Sequence, residues 1–361
     1  MISVETGIVE KIIWAREGIQ CLEVKLGDKR EKALNYPCLT GTALPGHRVI
    51  LNTTAVQLGL GSGGYHFVMA NYIVNSLPLS SNGHIIKMRY TPLQCKVQVY
   101  EEILGSKNSS SALSKYEGLK NVPVVIGELH SMVAPFVLTL KMLNPTRRIV
   151  YIMTDSAALP LYLSDTISCL KNDSLLEGTV TCGHAFGGDL ETVNIYTALM
   201  AAREELKADV IFVAPGPGVV GTCTRYGYSG IEQGEHIDRV RKLQGLPVVI
   251  PRISFSDART RHYGLSHHTL TALGEIASES AFLPLPLLDR DKMVVIYRQL
   301  KISGLLGKHK IVIVNKPQRL KFFQIKNFRL QTMGRGVKDD PAFFVTAMAA
   351  ASFTERIIPV H

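Results

Sequence analysis

The sequence predicts an α/β protein: an N-terminal small antiparallel β-barrel-like domain, then a Rossmann-like parallel sheet with helices on both faces. Three observations predict it. Up to about Tyr100, apolar and polar residues mix at short period between glycine- and proline-bearing turns. After Asn121, short apolar runs alternate with amphipathic segments, the rhythm of strand and crossover helix. Between them, the run GSKNSSS from Gly105 to Ser111 is polar and low in complexity. In a chain of 361 residues this pattern sets a β-rich domain at 1–104, a polar linker at 105–121 and an α/β domain at 122–361.

In the first domain, Gly7 to Ile13, Gln20 to Leu26 and His47 to Leu51 read as short strands, spaced as in a small barrel. In the second, Val122 to Ile126 reads as a strand, and Ser131 is placed to cap a helix from Met132 to Leu143. Ile149 to Met153 follows as a strand, then a helix from about Leu159 to Leu170. Thr179 to Cys182 forms the next strand, after which Asp189 is expected to cap a helix from Leu190 to Leu206. Asp209 to Ala214 and Pro247 to Ile250 are two further strands, separated by a helix from Ile231 to Leu243. A helix runs from His268 to about Ser280 and another from Lys292 to Ile302, and Lys310 to Val314 makes a strand. Asp340-Pro341 then opens a last helix, to about Ala351.

Composition narrows the class. Hydrophobic residues make up 46% of the chain, enough for a packed core and too many for global disorder. Apolar runs stop short of the roughly 18 residues a membrane helix needs, and the first residues lack the basic flank and apolar run of a signal peptide. The expectation is a soluble, cytoplasmic protein that does not use the membrane, with its six cysteines reduced, since none shares a C-x-x-C spacing. The net charge of +10 is concentrated C-terminally. Lys308 to Lys338, with Phe322, Phe323 and Phe328 interleaved, could meet nucleic acid, although an ordinary solvated basic face is the favoured reading.

Ligands of open parallel sheets bind beyond the carboxyl ends of the strands, and there the candidate residues gather. His130, Asp155, His184, Asp257, His267 and His268 all follow predicted strand ends and would line one crevice. His267 and His268 fall in the first turn of a helix capped by Ser266, where the positive helix end disfavours imidazolium, so at least one should be a neutral base, acceptor or metal ligand. Asp257 would orient it, and His130 and His184 would complete the pocket. For Asp155 and Asp189, a helix-cap role competes with a functional one.

Gly216-Pro-Gly-Val-Val-Gly221 matches G-x-G-x-x-G after a strand, but no helix begins at its third glycine and no acid ends the next strand. That context argues against nicotinamide or flavin. The loop suits a backbone cradle instead, in which Gly216, Gly218 and Gly221 admit a ligand oxygen while Thr222, Thr224, Arg225 and the neighbouring Arg252 receive phosphate or carboxylate. A tight turn that only positions the next helix fits equally well. A divalent metal such as zinc or manganese would fit a set of histidines and carboxylates assembled from separate loops, though no compact ligand motif occurs.

At Gly127-Glu-Leu-His-Ser131, Gly183-His-Ala-Phe-Gly-Gly-Asp189, Arg252-Ile-Ser-Phe-Ser-Asp257 and Ser266-His-His268, the chain resembles an uncharacterised bacterial family, domain of unknown function 3866. The resemblance covers most of the chain and implies no activity or catalytic residue. From the residues themselves, the expectation is a small anionic ligand, phosphorylated or carboxylated, bound at the strand ends by a hydrolase or group transferase, with self-association left open. The alternative is a non-enzymatic module that holds nucleic acid or a protein through the basic C-terminal region.

Overall fold

The structure is a computed structural model that describes residues 1–79, 82–107, 116–315, 328 and 330–358. Residues 316–327 and 329 of the basic run, with Phe322 and Phe323, and residues 108–111 of the polar run lie outside these residues. Two compact units emerge, Met1–Gln98 and Val99–His361. The division falls ahead of the polar stretch at which the sequence set it. Helix α3 (Tyr100–Lys107) belongs to the second unit, where Tyr100 donates to Glu204 and Glu101 accepts from the Val193 N–H.

The first unit is a closed barrel of β1 (Val4–Arg16), β2 (Ile19–Leu26), β3 (Lys29–Asn35), β4 (Arg48–Asn52) and β5 (His66–Asn71), in the order β1-β2-β3-β5-β4. It departs from a purely antiparallel barrel at β3 and β5, which pair in parallel. Alternate residues such as Val9, Leu22, Val24, Val49 and Leu51 fill the interior, as the period of two requires. Short helices α1 (Pro37–Thr40) and α2 (Thr54–Gln57) and a hairpin of β6 (Ile85–Lys87) and β7 (Cys95–Val97) complete the unit.

In the second unit, a parallel sheet is built from β8 (Pro123–Gly127), β9 (Ile149–Thr154), β10 (Gly178–Thr181), β11 (Leu190–Glu191), β12 (Val210–Pro215) and β13 (Leu246–Ile250), with two later strands. A small antiparallel pair, β14 (Ile253–Ser254) and β15 (Gly264–Leu265), follows β13; the sheet then resumes with β16 (Phe282–Pro286) and β17 (Lys310–Val314). The strand order is β11-β10-β9-β12-β8-β13-β16-β17. The central strands read as unbroken apolar runs because both faces are covered. On one face lie α4 (Val133–Leu143), α5 (Asp165–Asn172) and, last in the chain, α11 (Pro341–Ile357). On the other lie α6 (Ile195–Glu204), α7 (Glu232–Lys242) and α9 (Arg290–Ile302). Two short helices, α8 (His267–Thr271) and α10 (Leu305–Lys308), stand near this second face, and α8 runs on into a π turn, Ala272–Ile276.

Two local expectations are corrected, and one strand had not been foreseen. Ser131 caps nothing: it lies within a 3₁₀ turn, His130–Met132, and its hydroxyl bonds Thr332. Asp189 does not cap a helix from Leu190, because Leu190 and Glu191 are drawn into the sheet edge beside β10. Asn194 caps α6 instead, reciprocally with Thr197. The strand β16 escaped the sequence reading because Pro284 and Pro286 look like breakers. Two residues apart, they direct their missing donors to the same side. That side is β13, which β16 meets only at Val248 and Phe282, while pairing with β17 along its length.

Helices α4 and α5, which follow β8 and β9, lie on the face opposite α7, which follows β12 between them. The chain therefore parts to opposite faces at the carboxyl ends of the central strands, opening the crevice where open α/β sheets take ligands. Among the described residues, no helix is long and apolar enough to cross a membrane.

Candidate functional site

Three histidines converge beyond β13. Ser266 caps α8 by accepting the His268 N–H at 3.2 Å, which holds His267 and His268 in the first helical turn. His262 ends the 3₁₀ turn Thr260–His262 in the connection between β14 and β15, and its Nδ1 shares a 2.8 Å hydrogen bond with the same Ser266 hydroxyl. Ring nitrogens of His262, His267 and His268 lie within 4.8 Å of one another. His267 Nε2 is buried without a hydrogen-bond partner. Burial, followed by the Arg252 and Arg259 charges, pushes the His262 pKa down to about 3. That of His267 is also lowered, again first by burial and then by His268 and Arg261. Neutral rings of this kind are what a metal needs.

Around the cluster stands a supporting layer. Glu128 follows β8 directly and is buried; it takes a 3.2 Å bond from His268 Nδ1 and a 2.9 Å bond from the Thr269 hydroxyl. Burial alone would raise its pKa, but His268, Arg252 and Thr269 outweigh that and hold Glu128 as a carboxylate. The phenol ring of Tyr228 stacks on His268 at 3.9 Å, and its hydroxyl donates to the His268 carbonyl at 2.7 Å. Gly230 must be glycine here, since a Cβ would meet Glu128 Cγ at 2.8 Å. Arg252 is buried between Glu128 at 3.7 Å and Asp257 at 3.5 Å.

Asp257 itself is not directed at a histidine. It binds Arg259 through both oxygens and Arg335 at 3.2 Å, and the Arg259 hydrogen bonds hold its pKa well below the carboxylate range. It anchors the loop and orients no base.

The other expected residues go elsewhere. His130 is buried and fully engaged, with Nδ1 on the Tyr151 hydroxyl and the Pro215 carbonyl and Nε2 on the Ser164 hydroxyl. Burial takes its pKa down to about 4. It shares no partner with the three-histidine cluster. Asp155 accepts the His184 N–H at 2.9 Å at the ends of β9 and β10, forming a separate group. The glycine loop folds as a hairpin closed by a Gly221–Tyr228 bridge, which brings Gly221 beside His268. Gly216 is required by packing, since a Cβ would meet Ala158 and Met153 at 2.9 Å, and Gly218 is exposed. Thr222 and Thr224 bond each other at 2.7 Å, and Arg225 pairs with Glu275 at 2.7 Å. The helix beyond the loop opens with Glu232 and Glu235, which occupy the positive end an anion would seek.

Sequence reasoning did not single out Glu128, Tyr228 or His262. The strand-end position of Glu128, next to the candidate His130 region, was the available signal; the stacking of Tyr228 had none. For His262, the spacing His262-x-x-x-x-His267-His268 was visible, but only the reversal through β15 turns it toward the other two.

The family model described as protein of unknown function (DUF3866) matches residues 32–351. No curated protein matches the chain. The match spans both units and contains every residue of the histidine cluster and its supporting layer, so the chain belongs to the DUF3866 family of proteins of unknown function.

Proposed function

We propose that the second unit binds a divalent transition metal, zinc or manganese, through His262, His267 and His268, and uses it as a hydrolase or group transferase. The convergence of three ring nitrogens within 4.8 Å carries the reading. Three imidazoles gathered this closely are a ligand set that suits such an ion. Because Ser266 and Glu128 hold the Nδ1 atoms of His262 and His268, the Nε2 atoms are left for the ion, the arrangement of a ligand set with outer-layer support. Held by these three rings, the ion would supply the Lewis-acid chemistry that hydrolysis or group transfer at a carbonyl or phosphoryl centre needs. Exposed Arg261, next to His262 and in contact with Cys223 at 3.4 Å, would meet an anionic group of the substrate. A cytoplasmic location fits the chain's cysteines, which are all free and would stay reduced there.

The test is metal analysis of protein purified without chelator, with zinc and manganese titrated against a competing indicator. One ion per chain is expected, with affinity falling at least a hundredfold in His267→Ala and His262→Ala. Binding that is absent, or equal in these variants and the parent, overturns the reading.

A further inference from the structure

A second polar cavity, of about 240 Å³, lies at the carboxyl ends of β9 and β10, between the amino ends of α6 and α7. Asp155, Asn194, Tyr196, Glu232, His236 and Arg239 are among the residues that line it. Its residues are distinct from the three-histidine cluster. Its volume is below the roughly 300 to 1,000 Å³ of drug-sized sites, which suits a single sugar ring or one moiety of a larger ligand.

The donors and acceptors of the wall restrict what can occupy it. Glu232 Oε1 accepts from the Thr154 hydroxyl at 2.5 Å and the Ser156 hydroxyl at 2.8 Å, while its Oε2 stands 3.6 Å from His236 Nε2, beyond hydrogen-bond reach. Arg239 approaches His236 Nδ1 at 3.0 Å. A guanidinium can only donate, so Nδ1 accepts and the neutral ring carries its proton on Nε2. That Nε2–H is buried with no partner, on a side chain only 4% exposed. Asp155 supplies a second carboxylate at the cavity mouth. The Arg239 guanidinium is engaged by His236 and Glu235, so the wall offers carboxylate acceptors and one stranded donor.

An anion is disfavoured by both carboxylates, and the Tyr196 and Thr197 N–H groups at the start of α6 are already taken by the Asn194 side chain. An ammonium group suits the carboxylates but cannot accept from His236. A hydroxyl does both. We infer that this cavity binds the vicinal hydroxyls of a sugar, which donate to Asp155 and Glu232 and accept from His236 Nε2. The inference goes beyond the metal reading and depends on none of its residues.

The experiment is calorimetry with EDTA present, which removes any metal contribution, using adenosine, 2′,3′-dideoxyadenosine and putrescine as probes. Adenosine should bind at least tenfold more tightly than the dideoxy compound, and Asp155→Asn should cost a further tenfold or more in adenosine affinity. Since Asp155 is exposed, this variant should fold, which circular dichroism checks; Glu232→Gln provides a second variant with the same expected loss. Equal binding of the two nucleosides, no adenosine binding at millimolar concentration, undiminished binding by Asp155→Asn, or preference for putrescine each overturns the proposal.

Discussion

Replacing Glu128 by Gln isolates the charge behind His268 with little change in shape. The amide oxygen can still accept from His268 Nδ1, now 3.2 Å from the carboxylate, and the Thr269 hydroxyl can turn to accept from the amide. What is lost is the negative charge that makes the ring a stronger ligand and partners buried Arg252. Losing an outer-layer partner of a metal ligand typically costs about 10- to 100-fold in affinity, or about 1.4–2.7 kcal/mol. Breaking a buried ion pair can cost about 3–5 kcal/mol. Here the Arg252 contact is long at 3.7 Å, and Asp257 remains at 3.5 Å, so about 1–3 kcal/mol of stability should go. The pH dependence gives a second readout. The Glu128 pKa is below its ordinary 4.5, so its contribution is present above about pH 4.5 and lost as pH falls through the folded-state value. The variant should lack that part of the acid limb. Indicator-competition zinc titration at pH 7 and urea unfolding from pH 7 to 3 measure both quantities. Parental zinc affinity in Glu128→Gln, with parental stability, would refute the view that this carboxylate supports the site.

Two further outcomes follow from the interior. The His130 pKa falls from 6.5 to about 4 on folding, so its contribution is complete above pH 6.5 and drains away as pH falls toward 4. His130→Gln should therefore flatten urea-midpoint profiles, measured with EDTA across that window, by on the order of 3 kcal/mol. Gly216→Val would force side-chain atoms against Ala158 and Met153, costing about 1–3 kcal/mol or more in thermal unfolding. Unchanged stability there would mean that the loop can move away freely.

The main elements were legible because each is written locally. The runs Val122 to Ile126 and Asp209 to Ala214 are too apolar to lie anywhere but between two helical layers, and Ser266 announces the helix that carries His267 and His268. Short-range competition misled the reading where two devices overlapped. Asp189 stands before an apolar run and looks like a cap, yet Thr179 and Lys171 hold its carboxylate and the sheet edge claims the next two residues. At β16 the two prolines hid a strand that survives because its donorless side needs few bonds.

By itself, the sequence determined the two architectures, the polarity of the second sheet and the concentration of histidines and acids after its strands, since hydrophobic period and cap chemistry depend on residues a few positions apart. Only the tertiary structure decided which of those groups meet. It drew His262 to His267 and His268, backed His268 with Glu128 from 140 residues away, buried His130 in a separate polar nest and joined Asp155 to the side of the fold that carries Glu232 and His236. Strand order and crossover direction set those distances, and they arise from packing whole layers together rather than from local spacing.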